Sequence, residues 1–178
     1  MISRPPESEY DPYFNRYISL VPEGNFLELL GVQTKETRDF FEKLSEETGN
    51  YRYAPDKWSI KEVLGHVMDT ERVFAYRTLC IARGEQQSLP GMDQNQYAAN
   101  ADYDRIPLSK IAQHYTALRV STFFLLEQIP DSAWERKGIS NQKPITLRAL
   151  AYIIAGHERH HMRVLAQLYG QQTAPLMN

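Results

Sequence analysis

Gly156-His157-Glu158-Arg159-His160-His161, close to the end of the chain, decides the fold. It lies within a longer stripe: Leu147, Leu150, Ile154, His157, His161, Val164 and Leu168, in steps of 3, 4, 3, 4, 3 and 4 residues. That spacing is one face of an amphipathic helix, the face that packs on a core. At two positions histidine replaces an expected Leu or Ile. His157 and His161 stand one turn apart, so both imidazoles can converge on one point. Buried imidazole nitrogens need partners. A hydrogen-bonded core pair is the plain alternative, but a place on the apolar seam favours a shared divalent metal.

Outward from this stripe, three more helices are expected. The first runs from Asn25 to Thr48 with a seam of Phe26, Leu30, Gln33, Thr37, Phe40 and Leu44, closed by Gly49-Asn50. Gln33 and Thr37 are polar at its middle, either an imperfect stripe or the lining of a polar cavity. The second begins at Ser59, an N-cap with Glu62 three residues on and Trp58 and Val63 placed as a staple. Its seam is Ile60, Val63, Leu64, Val67, Phe74 and Ile81, and Gly84 closes it. His66 lies beside that stripe; Glu62 is better explained as a cap than as a ligand. The third spans Pro107 to Ile129, with Leu108, Ile111, Tyr115, Leu118, Thr122, Leu125 and Ile129 inward and His114 at the edge. Ser132–Arg136 reads as a short helical turn. The fourth starts after Pro144, with Thr146 as N-cap, and ends at Gly170.

These elements predict an all-α chain: an up-down-type four-helix bundle forming a single domain over 1–178. It carries an irregular N-terminal arm (1–24), a long irregular loop at 85–106 between the second and third helices, and a tail at 171–178. The loop either covers one end of the bundle or is a packed crossover.

Composition narrows the function. Apolar residues make up 42% and charged residues 24% of 178, the profile of a water-soluble globular protein. Net charge is −2 and no basic run exists, which argues against nucleic acid as a partner. No signal peptide and no apolar run of membrane-spanning length are read, so no membrane partner is expected. The single cysteine, Cys80, fits a reducing compartment, a buried inert thiol and a cytoplasmic location.

Several metal chemistries fail on sequence grounds. His157-Glu158-x-x-His161 matches the HExxH string of zinc proteases, but those enzymes take their third ligand downstream. Met162 to Asn178 contains no Asp, Glu, His or Cys. Glu158 also falls off the seam centre, so it is expected as a flank or surface acid. A di-iron carboxylate site needs two Glu-x-x-His elements, and Glu158-x-x-His161 stands alone. The third ligand must come from upstream, leaving a mononuclear site of His66, His157 and His161 with an open position. His160 and His114 are reserve ligands for a closed structural site. An open site favours hydrolysis by metal-bound hydroxide or attack by a metal-bound thiolate. No catalytic or cofactor-contacting side chain beyond the ligands is assigned.

Trp58-Ser59-Ile60-Lys61-Glu62-Val63-Leu64-Gly65-His66, followed by Asp69 and Glu71, together with the His157-x-x-x-His161 string, resembles the DinB-like (YfiT-like) superfamily. The similarity extends to the Tyr17–Gly24 lead-in. The resemblance implies a four-helix bundle holding one divalent ion (Zn, Ni, Fe or Mn) on the same three histidines. It also implies a metal-dependent enzyme acting on a small molecule, and homodimers occur in the family. The leading expectation is a thiol-dependent S-transferase using a low-molecular-weight thiol such as bacillithiol or mycothiol. The alternatives are a metal-dependent hydrolase and a non-enzymatic metal-binding bundle.

Overall fold

The computed structural model describes residues 2–170; the expected tail at 171–178 lies outside them. The N-terminal arm is more ordered than expected. Two 3-10 turns (Glu7–Glu9, Pro12–Phe14) lead into α1 (Asn15–Ile18). Helix α2 (Phe26–Lys43) starts where the Asn25 side chain accepts from the Leu27 amide at 3.2 Å. It stops short of Thr48. Leu44 turns extended, and Ser45, whose Oγ accepts from Thr48 N at 3.1 Å, caps a separate turn, α3 (Glu46–Gly49). A serine at a helix end offers the backbone this alternative partner.

Helix α4 (Ile60–Ala82) opens with the expected capping box. Ser59 Oγ accepts from Glu62 N at 3.0 Å, and Glu62 accepts from Ser59 N at 2.7 Å. Gly84 follows its end at φ +93, a conformation that glycine adopts without penalty. The 85–106 stretch is not irregular throughout. It holds β1 (Ser88–Leu89), α5 (Gln94–Ala101) capped by Asp93, and a 3-10 turn at Tyr103–Arg105. Helix α5 buries only Ala98, so it has no apolar stripe to betray it.

Helix α6 (Leu108–Glu127) turns Leu108, Ile111, Tyr115, Arg119, Thr122 and Leu126 inward. Leu118 and Leu125, expected on the seam, are half-buried. The stripe shifts because a buried arginine takes the place of a leucine. The helical turn expected at Ser132–Arg136 is a 3-10 turn at Asp131–Ala133. It is followed by β2 (Lys137–Ser140) and β3 (Lys143–Thr146). These strands are antiparallel, from Lys137↔Thr146 to Ser140↔Lys143, and β1 joins β2 in parallel. The two-residue hairpin loop, Asn141 and Gln142, has positive φ at both positions (49° and 62°), as the turn twist requires. Pro144 is tolerated because β3 is an edge strand. The all-α expectation is thus amended: the helices carry a small three-stranded sheet, whose strands of two to four residues are too short for a readable alternation.

Helix α7 (Leu147–Leu168) is buried on every side from Ala149 to Glu158. Its last inward residues are Leu165 and Tyr169, whereas Leu168 is 48% exposed. The outer face is covered by α1. A Cβ on Gly156 would stand 2.1 Å from the Tyr17 carbonyl oxygen, so only glycine lets the two backbones approach this closely.

Among the four long helices, the closest pairs are α4 with α7, α2 with α6 and α4 with α6. Consecutive helices α2–α4 and α6–α7 are not among them, which departs from the expected up-down arrangement. The helices bury two apolar clusters. One contains Phe26, Leu30, Phe74, Leu126 and the Leu147–Ala155 segment; the other contains Phe40, Phe41, Leu64, Ile111, Tyr115 and Leu165. Between them each long helix contributes buried polar residues: Gln33 and Thr37, His66, Thr70 and Glu71, Arg119 and Thr122, His157 and Glu158. Among the described residues no helix is long and apolar enough to cross a membrane.

Candidate metal centre

The polar belt has two halves. In one, His66 from α4 meets His157 and His161 from α7. The His66 Nε2 and His157 Nε2 atoms are 3.1 Å apart, as are those of His161 and His157. The three residues form the only group of three potential ligands within metal-holding reach among the described residues, with all ligand atoms inside 4.8 Å. On a tetrahedral centre with Zn–N bonds of about 2.0–2.1 Å, ligand nitrogens stand about 3.3 Å apart. The observed spacing fits. Three facing ring nitrogens cannot all satisfy one another with neutral tautomers, whereas one cation accepts all three lone pairs.

Electrostatics agree. Burial drives the His66 pKa down to about 4, with a further contribution from His160. Burial likewise drives His161 down to about 3, and His157 falls well below its ordinary value through burial and its histidine neighbours. All three rings are therefore neutral near neutral pH, the state that ligates metal.

The α4 signature builds this corner residue by residue. Trp58 packs its ring 4.9 Å from that of His66. Ser59 donates to Asp104 at 2.5 Å, tying the 3-10 turn at Tyr103–Arg105 to the helix start. Lys61 is buried and pairs with Glu46 at 2.7 Å. Glu62 completes the capping box and receives Arg52, so it is no ligand. Gly65 has room only for hydrogen, since a Cβ would stand 2.2 Å from the Tyr103 ring. On the other wall Tyr17 from α1 sets its ring 5.2 Å from His157 and 5.3 Å from His160. Burial, first, and the hydrogen-bonded Tyr13 raise the Tyr17 pKa, keeping the phenol protonated. His160 leans on Tyr17, and His114 is exposed; neither joins the cluster.

The second half of the belt overturns one expectation. Glu158 is not a flank or surface acid: it is 1% exposed. It accepts from Thr37 Oγ1 at 2.6 Å, from Tyr115 Oη at 3.0 Å and from Arg119. Arg119 also pairs with Glu71 at 2.8 Å. Glu158 is thus committed away from the imidazoles. Gln33 donates to the Ala155 carbonyl at 3.0 Å, so Gln33 and Thr37 bind α7 as well as lining a cavity of about 490 Å3. Sequence reasoning missed Arg119 and gave no individual role to Glu71 or Tyr17, although both stand in the strings that carry the family resemblance. Glycine immediately before His157 was the available signal for Tyr17, because it marks a close approach.

A second cavity, of about 400 Å3, has His66 and His157 in its wall, with Tyr17, Phe74, Arg77 and Met92 around them. The cluster therefore faces an opening large enough for a small molecule.

Comparisons with known proteins agree with this architecture. Residues 29–165 match the DinB superfamily. A solved structure, YfiT from Bacillus subtilis, described as "a probable metal-dependent hydrolase with an unusual four-helix bundle topology", superposes with a TM-score of 0.70. It is 17% identical, and the match covers 95% of this chain and 93% of that one, a likeness of fold. No curated protein matches.

Proposed function

The chain belongs to the DinB superfamily, and on that premise we propose that His66, His157 and His161 hold one divalent metal ion for chemistry on a small molecule. The observation that carries this reading is the pair of 3.1 Å Nε2–Nε2 separations opening on a cavity. When bound, the ion supplies a Lewis-acid centre that acidifies a water or thiol placed on its free face. The chain's own residues do the rest. Three neutral imidazoles add no charge, so the cation keeps its full attraction for an anion. Trp58 and Tyr17 fix the rings of His66 and His157. Phe14, Phe74 and Met92 keep the cavity wall apolar and limit water beside the reacting atoms.

The leading reading is a thiol-dependent S-transferase, in which the cavity takes an electrophile together with a low-molecular-weight thiol. Hydrolysis is the second reading, favoured by the fold likeness to YfiT and its description. A purely structural metal fits less well: such sites take four protein ligands, and three converge among the described residues.

The test begins with untagged protein, purified without a nickel column and assayed for metal. Wild type should carry close to one ion per chain, and His66→Ala, His157→Ala and His161→Ala should each lose most of it. Full occupancy in all three variants would refute the site. Ester, amide and alkyl-halide substrates, each with and without a small thiol, then separate the two activities. Turnover that needs no thiol sinks the transferase.

A further inference from the structure

Two arginines are buried in this molecule within reach of the polar belt, and they are treated differently. Arg119 lies between two carboxylates, Glu71 and Glu158. Arg77, only 5% exposed, has none: among the described residues no carboxylate lies within ion-pair distance of it. One terminal nitrogen donates to the Pro90 carbonyl at 2.6 Å, its face rests 4.9 Å from the Phe74 ring centroid, and its Nε has no partner. A guanidinium stays charged, and a buried charge without a counter-ion is costly. The cost makes sense where a ligand brings the anion. Arg77 lines the same cavity as His66 and His157.

We propose that Arg77 is the anion-binding residue of this cavity, and that the molecule taken there is elongated, with a carboxylate or phosphate at one end. Arg77 follows His66 by 11 positions on α4, so the two backbone positions are about 16 Å apart along the helix at 1.5 Å per residue. Thr70, Val73 and Phe74 lie between them along α4 and line the cavity, as does Met92, which suits an apolar or weakly polar midsection. Lys143 stands at the rim 3.9 Å from Asp11, so its charge is already shared. Arg77 therefore selects one end of the ligand and places the other at the histidines. The identity of that reacting end rests on the metal reading above; the anion site does not.

Octanoate and octan-1-ol, equal in chain length, test this by calorimetric titration of the full chain with metal removed. Octanoate should bind at least tenfold more tightly than the alcohol, more weakly as salt is raised, and Arg77→Gln should abolish the preference. Equal affinities, or a preference that survives Arg77→Gln, would overturn the proposal. The Arg77 Nε–H resonance gives a readout that needs no variant: it should shift with octanoate and stay still with the alcohol. A still resonance under saturating octanoate also overturns it. Repeating the titration on cobalt-loaded protein separates the two readings. Unchanged cobalt bands during binding place the carboxylate at Arg77, whereas bands that shift with octanoate, with a preference that survives Arg77→Gln, assign the anion to the metal instead. Failure to load cobalt at all strikes the metal reading and leaves the metal-free result standing.

Discussion

Arg119 shows how much one side chain can decide. It is fully buried, and its attraction to Glu158 and Glu71 holds it charged against desolvation. Burial, with a lesser push from the Glu158 charge, drives the Glu71 carboxyl upward, and Arg119 opposes that. Removing one partner of a buried ion cluster leaves charge uncompensated, a loss of about 3–5 kcal/mol. Arg119→Met should therefore cost about that much in chemical denaturation, whereas a loss below about 1 kcal/mol would mean the cluster relaxes freely. This is also where the sequence misleads. Arginine is expected outward, so the sequence points the α6 stripe through Leu118 and Leu125 and Glu158 to the flank, whereas Arg119 and Glu158 are both buried. Charge pairing across three helices has no local signature. The histidine cluster was legible because two histidines interrupted an apolar stripe and a third sat in a capped, strongly patterned helix. At the same scale, Gly156→Ala drives a Cβ into the Tyr17 backbone. It should destabilise by about 1–3 kcal/mol, read by thermal or urea melting.

At the scale of elements, the arm is strapped to α7 and β3 by Glu9. Its carboxylate accepts from Thr146 Oγ1 and from Arg148 Nε, each at 2.7 Å. Arg148 holds the Glu9 pKa below its ordinary 4.5. A group whose pKa is lower folded than unfolded stabilises fully above the unfolded value and loses that contribution as pH falls through the folded one. The strap should thus loosen below about pH 4.5. The protection factors of α1 amides, taken relative to intrinsic exchange at each pH, should fall in acid, and Glu9→Gln should show the lower protection already at neutral pH. Identical exchange in variant and wild type would place the strap elsewhere. The four long helices were legible from period, caps and glycine stops. The hairpin and α5 were not, because short strands and a helix burying one alanine leave no periodic trace.

For the whole molecule, a metal held as proposed on His66, His157 and His161 would tie α4 to α7 and so couple ion binding to folding. A ligand that binds only the native state stabilises it by about 2.7 kcal/mol at a hundredfold excess over Kd. For a chain of this size that is about 5–11 °C in Tm. Chelation should lower the Tm by that order, and an unchanged Tm in protein shown to have lost its metal would mean the ion bridges nothing. Tyr17 on α1 packs against His157, and His157 meets His66, so the arm, α4 and α7 come together at this site.

X-ray absorption at the edge of the bound metal tests the central claim most directly, because it counts the imidazoles on the ion. Three histidine nitrogens at about 2.0–2.1 Å, with a light atom or an added thiol completing the set, is the predicted spectrum. Fewer than three imidazole scatterers, or a protein sulfur from Cys80 in the thiol-free sample, would contradict it.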